Sequence, residues 1–496
     1  MTPALTDSRT RYRIFVVDLN NFATFPTLAV GILIAALRKA GHDVSLLVPL
    51  ACDIPTHERE RREWWPDHMM RRIHLSTSPA WRIPRDLLRS ARYHFRQRPH
   101  ARVLREVGKA LEAKPDLLML SAYLQHYQTI VQIGKLALKA KIPMLLGGPA
   151  FNLNEVAEAW RTIPGLTAIY GGEADLVVPE LVEAIGTDED LLRFDGVTLP
   201  DGRSSGAAAP FRALDLSPVP DFSDFPWDRY RVPIIPVMTG RGCQWGKCNF
   251  CSDVVSVNGR TYRTRSLESV LHELREQSRR YATANFTFLD LKLNSNPPLF
   301  RGIAEHIQEA APGAQWIGTV HVDTRADNGL SRQDLRAAAA SGMRRVSFGL
   351  ESGSQHMLDL MDKGALVAAN SAFIREAHEA GISVRCTMFK GYPGETADDL
   401  EQTASFLEAH QPYLDRVRFN DFSILENTPI WHAVHNGALP DLAVLGHQRT
   451  LGRVRYANHG AEGAAYRRAK AKVLRAVFAI NRRRLRSEAQ MFDGMM

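Results

Sequence analysis

Three of the five cysteines in this 496-residue chain, Cys243, Cys248 and Cys251, fall within nine residues. They lie in the string Thr239-Gly-Arg-Gly-Cys-Gln-Trp-Gly-Lys-Cys-Asn-Phe-Cys251, with C-x4-C-x2-C spacing on a glycine-containing loop. Three thiolates so placed can converge on one metal centre. Structural zinc usually takes four protein ligands, and the remaining cysteines, Cys52 and Cys386, are distant in sequence. A cubane iron–sulfur cluster held by three cysteines leaves one iron open to an exogenous ligand, whereas full protein ligation uses four. An open iron suits catalysis better than electron storage. From spacing alone, a zinc knuckle completed by a histidine, or three buried thiols, remain alternatives, because short motifs recur by chance.

The elements that must position this loop follow from the apolar pattern. Before it, short apolar strands fit at 13–20, 43–49, 117–122, 143–147 and 167–171, with helices at 28–40, 128–140, 155–161 and 176–184. Continuous apolar strands alternating with helices predict a parallel sheet covered on both faces, a doubly wound, flavodoxin-like α/β domain over 1–186. A mostly helical insertion interrupts it over about 52–114. Residues 187–231, rich in Gly, Pro, Ser and Asp, read as a linker with room for a small hairpin. A second alternation over 232–430 fits strands at 234–239, 285–289, 315–320, 345–349, 383–389 and 416–422. Five helical stretches lie between them, at 267–281, 299–311, 332–341, 370–380 and 397–409. Six βα repeats predict a partial (β/α)6 barrel with its chemistry at the carboxyl ends of the strands. The three cysteines come just after its first strand. The remainder, 431–496, reads as a helical region closing on a basic helix.

Composition sets the outer bounds. With 45% hydrophobic and 23% charged residues, the chain reads as globular with a substantial core. The longest apolar run, 28–37, falls short of the roughly 20 residues that span a bilayer. The polar first 13 residues show no secretory signal, and clustered thiols point to a reducing, cytoplasmic setting. The formal charge of +8 concentrates in two stretches, 57–105 and 467–486. These read as solvated helix faces, with no clear nucleic-acid or membrane partner.

The cysteine string and several segments after it resemble the radical S-adenosylmethionine (SAM) superfamily. The family loop is commonly C-x3-C-x2-C with an aromatic before the last cysteine, the place of Phe250. The extra residue here resembles a GC-x-W-x-K-C-x-F-C variant. Phe348-Gly-Leu-Glu351-Ser352-Gly353 resembles the family's SAM-contacting strand end, Lys390-Gly391-Tyr-Pro-Gly394-Glu395-Thr396 its segment near the adenine, and Asn427-Thr428-Pro429 a late G-T-P segment. The resemblance implies a [4Fe–4S] cluster on Cys243, Cys248 and Cys251, and SAM bordered by Phe250, Glu351, Ser352, Arg385, Gly391 and Gly394. In that setting Glu351 would accept bonds from the ribose or the amine, and Arg385 would pair with the carboxylate.

The first domain resembles the cobalamin-binding domain that precedes the barrel in one large subgroup of the superfamily. The matching positions are Ser121, Leu146-Gly147-Gly148-Pro149 and Tyr170-Gly-Gly-Glu173-Ala-Asp175. They imply cobalamin beside Ser121, Gly147, Gly148 and Glu173. The D-x-H-x-x-G motif that supplies a cobalt-ligating histidine elsewhere is absent, and His126 is the nearest substitute by position. Methylthiotransferases carry three further cysteines in their first domain, whereas Cys52 stands alone before the loop here. The resemblance implies an enzyme, a cobalamin-dependent radical SAM C-methyltransferase of a natural-product or lipid intermediate. It would draw electrons from a flavodoxin- or ferredoxin-type donor. A cyclase or rearrangement enzyme without methyl transfer, or a non-catalytic cobalamin or redox sensor, are the alternatives.

Overall fold

The computed structural model describes residues 10–20, 23–56, 61–252, 261–323 and 329–495. Strands β1 (Arg13–Asp18), β2 (Asp43–Leu47), β3 (Leu117–Ser121), β4 (Met144–Gly147) and β5 (Leu166–Tyr170) form a parallel sheet in the order β2-β1-β3-β4-β5. Successive side chains of a strand point to opposite faces. Accordingly Ile14 and Val16 pack toward the helices Leu28–Lys39 and Val178–Gly186. Phe15 and Val17 pack toward Ala101–Glu112, Tyr127–Ala140 and Asn154–Trp160. This is the flavodoxin order, with its switch point between β1 and β3, where such sheets bind ligands at their carboxyl edge.

The insertion is helical as expected, but its last helix, Ala101–Glu112, belongs to the sheet's own layer. Val103, Val107 and Leu111 recur at helical spacing and are buried under β1 and β3. The segment read as a linker is packed rather than loose. A short β6 (Val197–Thr198) joins the first sheet antiparallel to β5, and Phe222 and Phe225 are buried between the two halves of the molecule. A Cβ on Gly31 would stand 2.3 Å from the Phe222 ring, so the linker lies directly on the helix Leu28–Lys39. Arg38 fixes it further by ion pairs to Asp221 and Asp224, each 2.7 Å. Its Gly, Pro and Asp content reflects tight turns at a buried seam.

The second sheet starts with β7 (Ile235–Val237), after which β8 (Gly240–Arg241) and β9 (Arg263–Thr264) form a small antiparallel ribbon. It continues through β10 (Asn285–Phe288), β11 (Gln315–Val320), β12 (Met343–Glu351), β13 (Ser383–Lys390) and β14 (Arg416–Asp421). All its pairings are parallel, in the sequential order β14-β13-β12-β11-β10-β7. Sequential βα units added on one side are what a partial barrel requires.

The C-terminal region holds more than a helix. β15 (Ile424–Leu425), β16 (Leu442–Gln448) and β17 (Arg453–Asn458) make a three-stranded antiparallel sheet. The helix Ala464–Asn481 then covers β14. The Asn481 side chain accepts from Val417 N at 2.7 Å and donates to Val417 O at 2.8 Å, satisfying an edge strand that would otherwise invite pairing. Phe492 and Met495 pack against Ile234 and Ile317 beside the second sheet.

Candidate active site

The cysteine loop leaves β7 through a turn fixed by one buried carboxylate. Asp290 accepts from the Thr239 hydroxyl at 2.7 Å and from Gly240 N at 2.8 Å. Burial pushes its carboxyl up to about 6 even against the pull of these donors. Gly242 has φ +86°, and a Cβ there would stand 2.1 Å from Thr261 O, so only glycine fits. The loop docks on residues 360–364. Trp245 Nε1 donates to Asp362 O at 2.8 Å, Asn249 N to Met361 O at 3.0 Å, and Ile430 N to Asn249 O at 3.1 Å. The tryptophan ring fills the space where Gly364 (φ +63°) lacks a side chain. Phe250 packs edge-on against Phe389 with the ring centres 5.1 Å apart.

The three cysteines are free thiols, two of them beside one buried cation. Lys363 lies within electrostatic reach of Cys248 and Cys251, and Cys243 within reach of Cys248. Lys363 Nζ donates to Glu351 at 3.0 Å. Burial opposes its charge, but Glu351 and the thiols raise its pKa above the ordinary value. Glu351 ends β12 at a bulge with φ +58°, a conformation rare outside glycine. A Cβ on Gly349 would stand 2.2 Å from the Glu351 carboxylate, so the glycine makes room for this ion pair. Among the described residues no three His, Cys, Asp or Glu side chains meet as a single-ion site would need. A cubane takes one thiolate on each of three irons, so its ligands stand wider apart. Three thiols on one loop, two of them beside a buried cation, fit a cluster of that kind, whose thiolates carry negative charge.

The two sheets meet at the same loop. In the β8–β9 ribbon Arg241 lies opposite Arg263, a pairing of like charges that is unfavourable unless acids share it. Glu173 and Asp175, just after β5, do so. Arg241 donates to Asp175 at 2.5 and 3.0 Å and lies 3.3 Å from Glu173, while Arg263 donates to Glu173 at 2.5 Å. Burial would raise the Asp175 carboxyl, but Arg241 holds it below the usual carboxylate range. Two motifs read separately in the sequence are thus one buried clamp, two residues from Cys243.

This reassigns several expected residues. Glu173 pairs with two arginines and accepts from Phe211 N at 2.6 Å, so its carboxylate ties the first sheet to the cysteine loop. Gly148 (φ +150°) is required by the backbone, since a Cβ would approach Ala122 O to 2.8 Å. Gly147 and Ser121, in register at the carboxyl ends of β4 and β3, stay part-exposed and fit a ligand edge. The buried Ser352 hydroxyl bonds Thr403 at 3.1 Å and accepts from Ser354 N at 3.2 Å. Arg385 lies in the N-terminal half of β13, five residues before Lys390, about 16 Å along the strand. Its register partners are Ser347 and Arg416, so its position does not favour the SAM carboxylate. Gly391 (φ +79°) faces open space, whereas a Cβ on Gly394 would meet Leu360 at 2.9 Å. His126 is buried, with its ring 5.5 Å from that of His100 in the insertion. Lys363 and Asp290 carried no signal in sequence. Arg241 did, by standing inside the cysteine string.

Residues 237–407 match the Radical SAM superfamily. The chain carries a radical SAM domain. Such a domain implies a [4Fe–4S] cluster and SAM. Over 334 residues the chain is 25% identical to an uncharacterized methyltransferase of Pyrococcus horikoshii, covering 66% of this chain and 71% of that protein. It is 29% identical over 327 residues to the anaerobic magnesium-protoporphyrin IX monomethyl ester cyclase of Cereibacter sphaeroides, covering 62% of this chain and 51% of the cyclase. The cobalamin-dependent S-adenosylmethionine radical enzyme OxsB, with aqua-cobalamin bound, superimposes with TM-score 0.67 at 15% identity, over 90% of this chain and 64% of OxsB. The radical SAM methyltransferase TsrM from Kitasatospora setae, with tryptophan substrate and a SAM analog, gives TM-score 0.65 at 16% identity, over 94% of this chain and 89% of TsrM. At these identities the structural likeness is one of fold, and it extends through the first sheet as well as the radical SAM domain.

Proposed function

We propose that this chain is a cobalamin-dependent radical SAM methyltransferase acting on an unactivated carbon of a small natural-product or lipid intermediate. One observation carries the reading: a flavodoxin-type sheet is clamped, through Glu173 and Asp175, to Arg241 beside the cysteine loop. A ligand at the carboxyl edge of the first sheet would thereby face one at the barrel mouth. The P. horikoshii and OxsB similarities support it. Cys243, Cys248 and Cys251 would hold the cluster, Phe250, Glu351, Gly391 and Gly394 would border SAM, and Ser121 and Gly147 would border cobalamin. When bound, these groups would supply a substrate radical and a transferable methyl group. Lys363 would offset the cluster's negative charge, while Phe250, Phe389 and Tyr392 would keep water from the site. A flavodoxin- or ferredoxin-type protein would supply the electron.

With SAM bearing a deuterated methyl group, turnover should place the label in the product. It should also release 5′-deoxyadenosine and S-adenosylhomocysteine, about one of each per product. Cys248→Ala should abolish both. A cyclised product without label and without S-adenosylhomocysteine would instead favour cyclase chemistry, the activity of the C. sphaeroides relative.

A further inference from the structure

The helix Pro79–Gln97 in the insertion is amphipathic, yet it is mounted the wrong way round for a globular protein. At about 100° per residue, Trp81, Ile83, Leu87 and Phe95 fall on one side within about 160°. A surface helix normally buries that stripe. Here Ile83 is 72% exposed, Leu87 66%, Phe95 62% and Trp81 50%. Arg85 and Arg89, on the opposite side, face the protein instead. Arg85 donates to Ser76 O at 2.6 Å, and Arg89 bonds His74 O and Asp421. Trp64 and Trp65, at the start of the preceding helix, are also more than half exposed. An exposed apolar face of this extent marks an interaction surface.

Its charge identifies what covers it. Residues 79–98 hold six arginines (82, 85, 89, 92, 96 and 98) and one carboxylate, Asp86. Exposed Arg92 borders the apolar stripe, exposed His94 lies within it, and the Arg98 guanidinium lies 4.4 Å from the Phe95 ring centre. Aromatic and aliphatic residues bordered by arginine are the chemistry of a helix lying in the headgroup region of an anionic bilayer. A second copy of this chain would bring like charge against like charge. Among the described residues no helix is long and apolar enough to cross a membrane, so attachment would be peripheral.

We infer that the helix Pro79–Gln97 docks this protein on an anionic lipid surface through Trp81, Ile83, Leu87 and Phe95. The inference stands apart from the reaction proposed above. Through Arg89 and Asp421 the helix adjoins the carboxyl end of β14, so docking would turn the barrel mouth toward the bilayer.

The full chain should co-sediment with phosphatidylcholine vesicles containing about 30% phosphatidylglycerol, and bind pure phosphatidylcholine about tenfold less. Salt near about 0.5 M should weaken the binding by screening the arginines. Ile83→Asp combined with Leu87→Asp should reduce it about tenfold at an unchanged melting temperature, since both side chains are exposed. Leu87→Trp should keep it. Absence of binding to the anionic vesicles, or binding that the double substitution leaves intact, would overturn the inference. So would a dimer in sedimentation velocity that the double substitution dissociates, which would assign this face to a second copy.

Discussion

Arg241 shows how much one side chain can carry here. Its fork spans Asp175 and Glu173, all three groups being nearly buried. Removing one partner of a buried pair leaves an uncompensated charge and costs about 3 kcal/mol or more. Arg263 keeps Glu173 paired, so in Arg241→Ala the loss should fall on Asp175. We expect Arg241→Ala to lower the melting temperature by several degrees and Arg241→Lys by less, because an ammonium cannot span both acids. In the Asp175→Asn background Arg241→Ala should cost clearly less. Equal costs in both backgrounds, measured by thermal unfolding, would remove the clamp from the account. The pair was legible only as two unrelated strings: Arg241 stood beside Cys243, Glu173 and Asp175 after a strand. Nothing in local spacing said that they touch.

At the scale of elements, the turn between β13 and the helix Ala397–His410 is built on a buried carboxyl. Glu395 accepts from Gly391 N at 2.6 Å and from the Tyr466 hydroxyl of the C-terminal helix. Burial dominates and raises it from 4.5 to about 7. A carboxyl raised in the folded state contributes stability that is complete below 4.5 and is lost as pH rises through about 7. The swing is about 3 kcal/mol. The melting temperature should therefore fall between pH 5 and pH 8, and Glu395→Gln, which keeps an acceptor without the charge, should flatten that fall. A variant profile parallel to the wild type would exclude Glu395 as its source. Sequence marked this turn through Gly391, Gly394 and Glu395. The third partner, Tyr466, lies 71 residues beyond Glu395 and gave no signal.

Across the whole molecule, the two sheets are joined by a seam that runs through residues 187–231. Phe222 is fully buried there, touching Gly31 from the first domain and giving its backbone N–H to the Tyr281 hydroxyl of the second at 2.7 Å. Phe222→Ala should cost about 3–5 kcal/mol and speed proteolysis within 187–231, read as two fragments near the sizes of the domains. Unchanged digestion would mean that the seam holds without it. The sequence by itself determined the two βα alternations, their order and the cysteine loop, because hydrophobic period and thiol spacing are local properties of the chain. The tertiary structure decided the rest. It showed that Glu173 faces Arg241 and Arg263, that Lys363 stands beside Cys248 and Cys251, that the linker is packed, and that the helix Pro79–Gln97 turns its apolar face outward. Each of these depends on which surfaces meet across tens or hundreds of residues, and no local pattern encodes that.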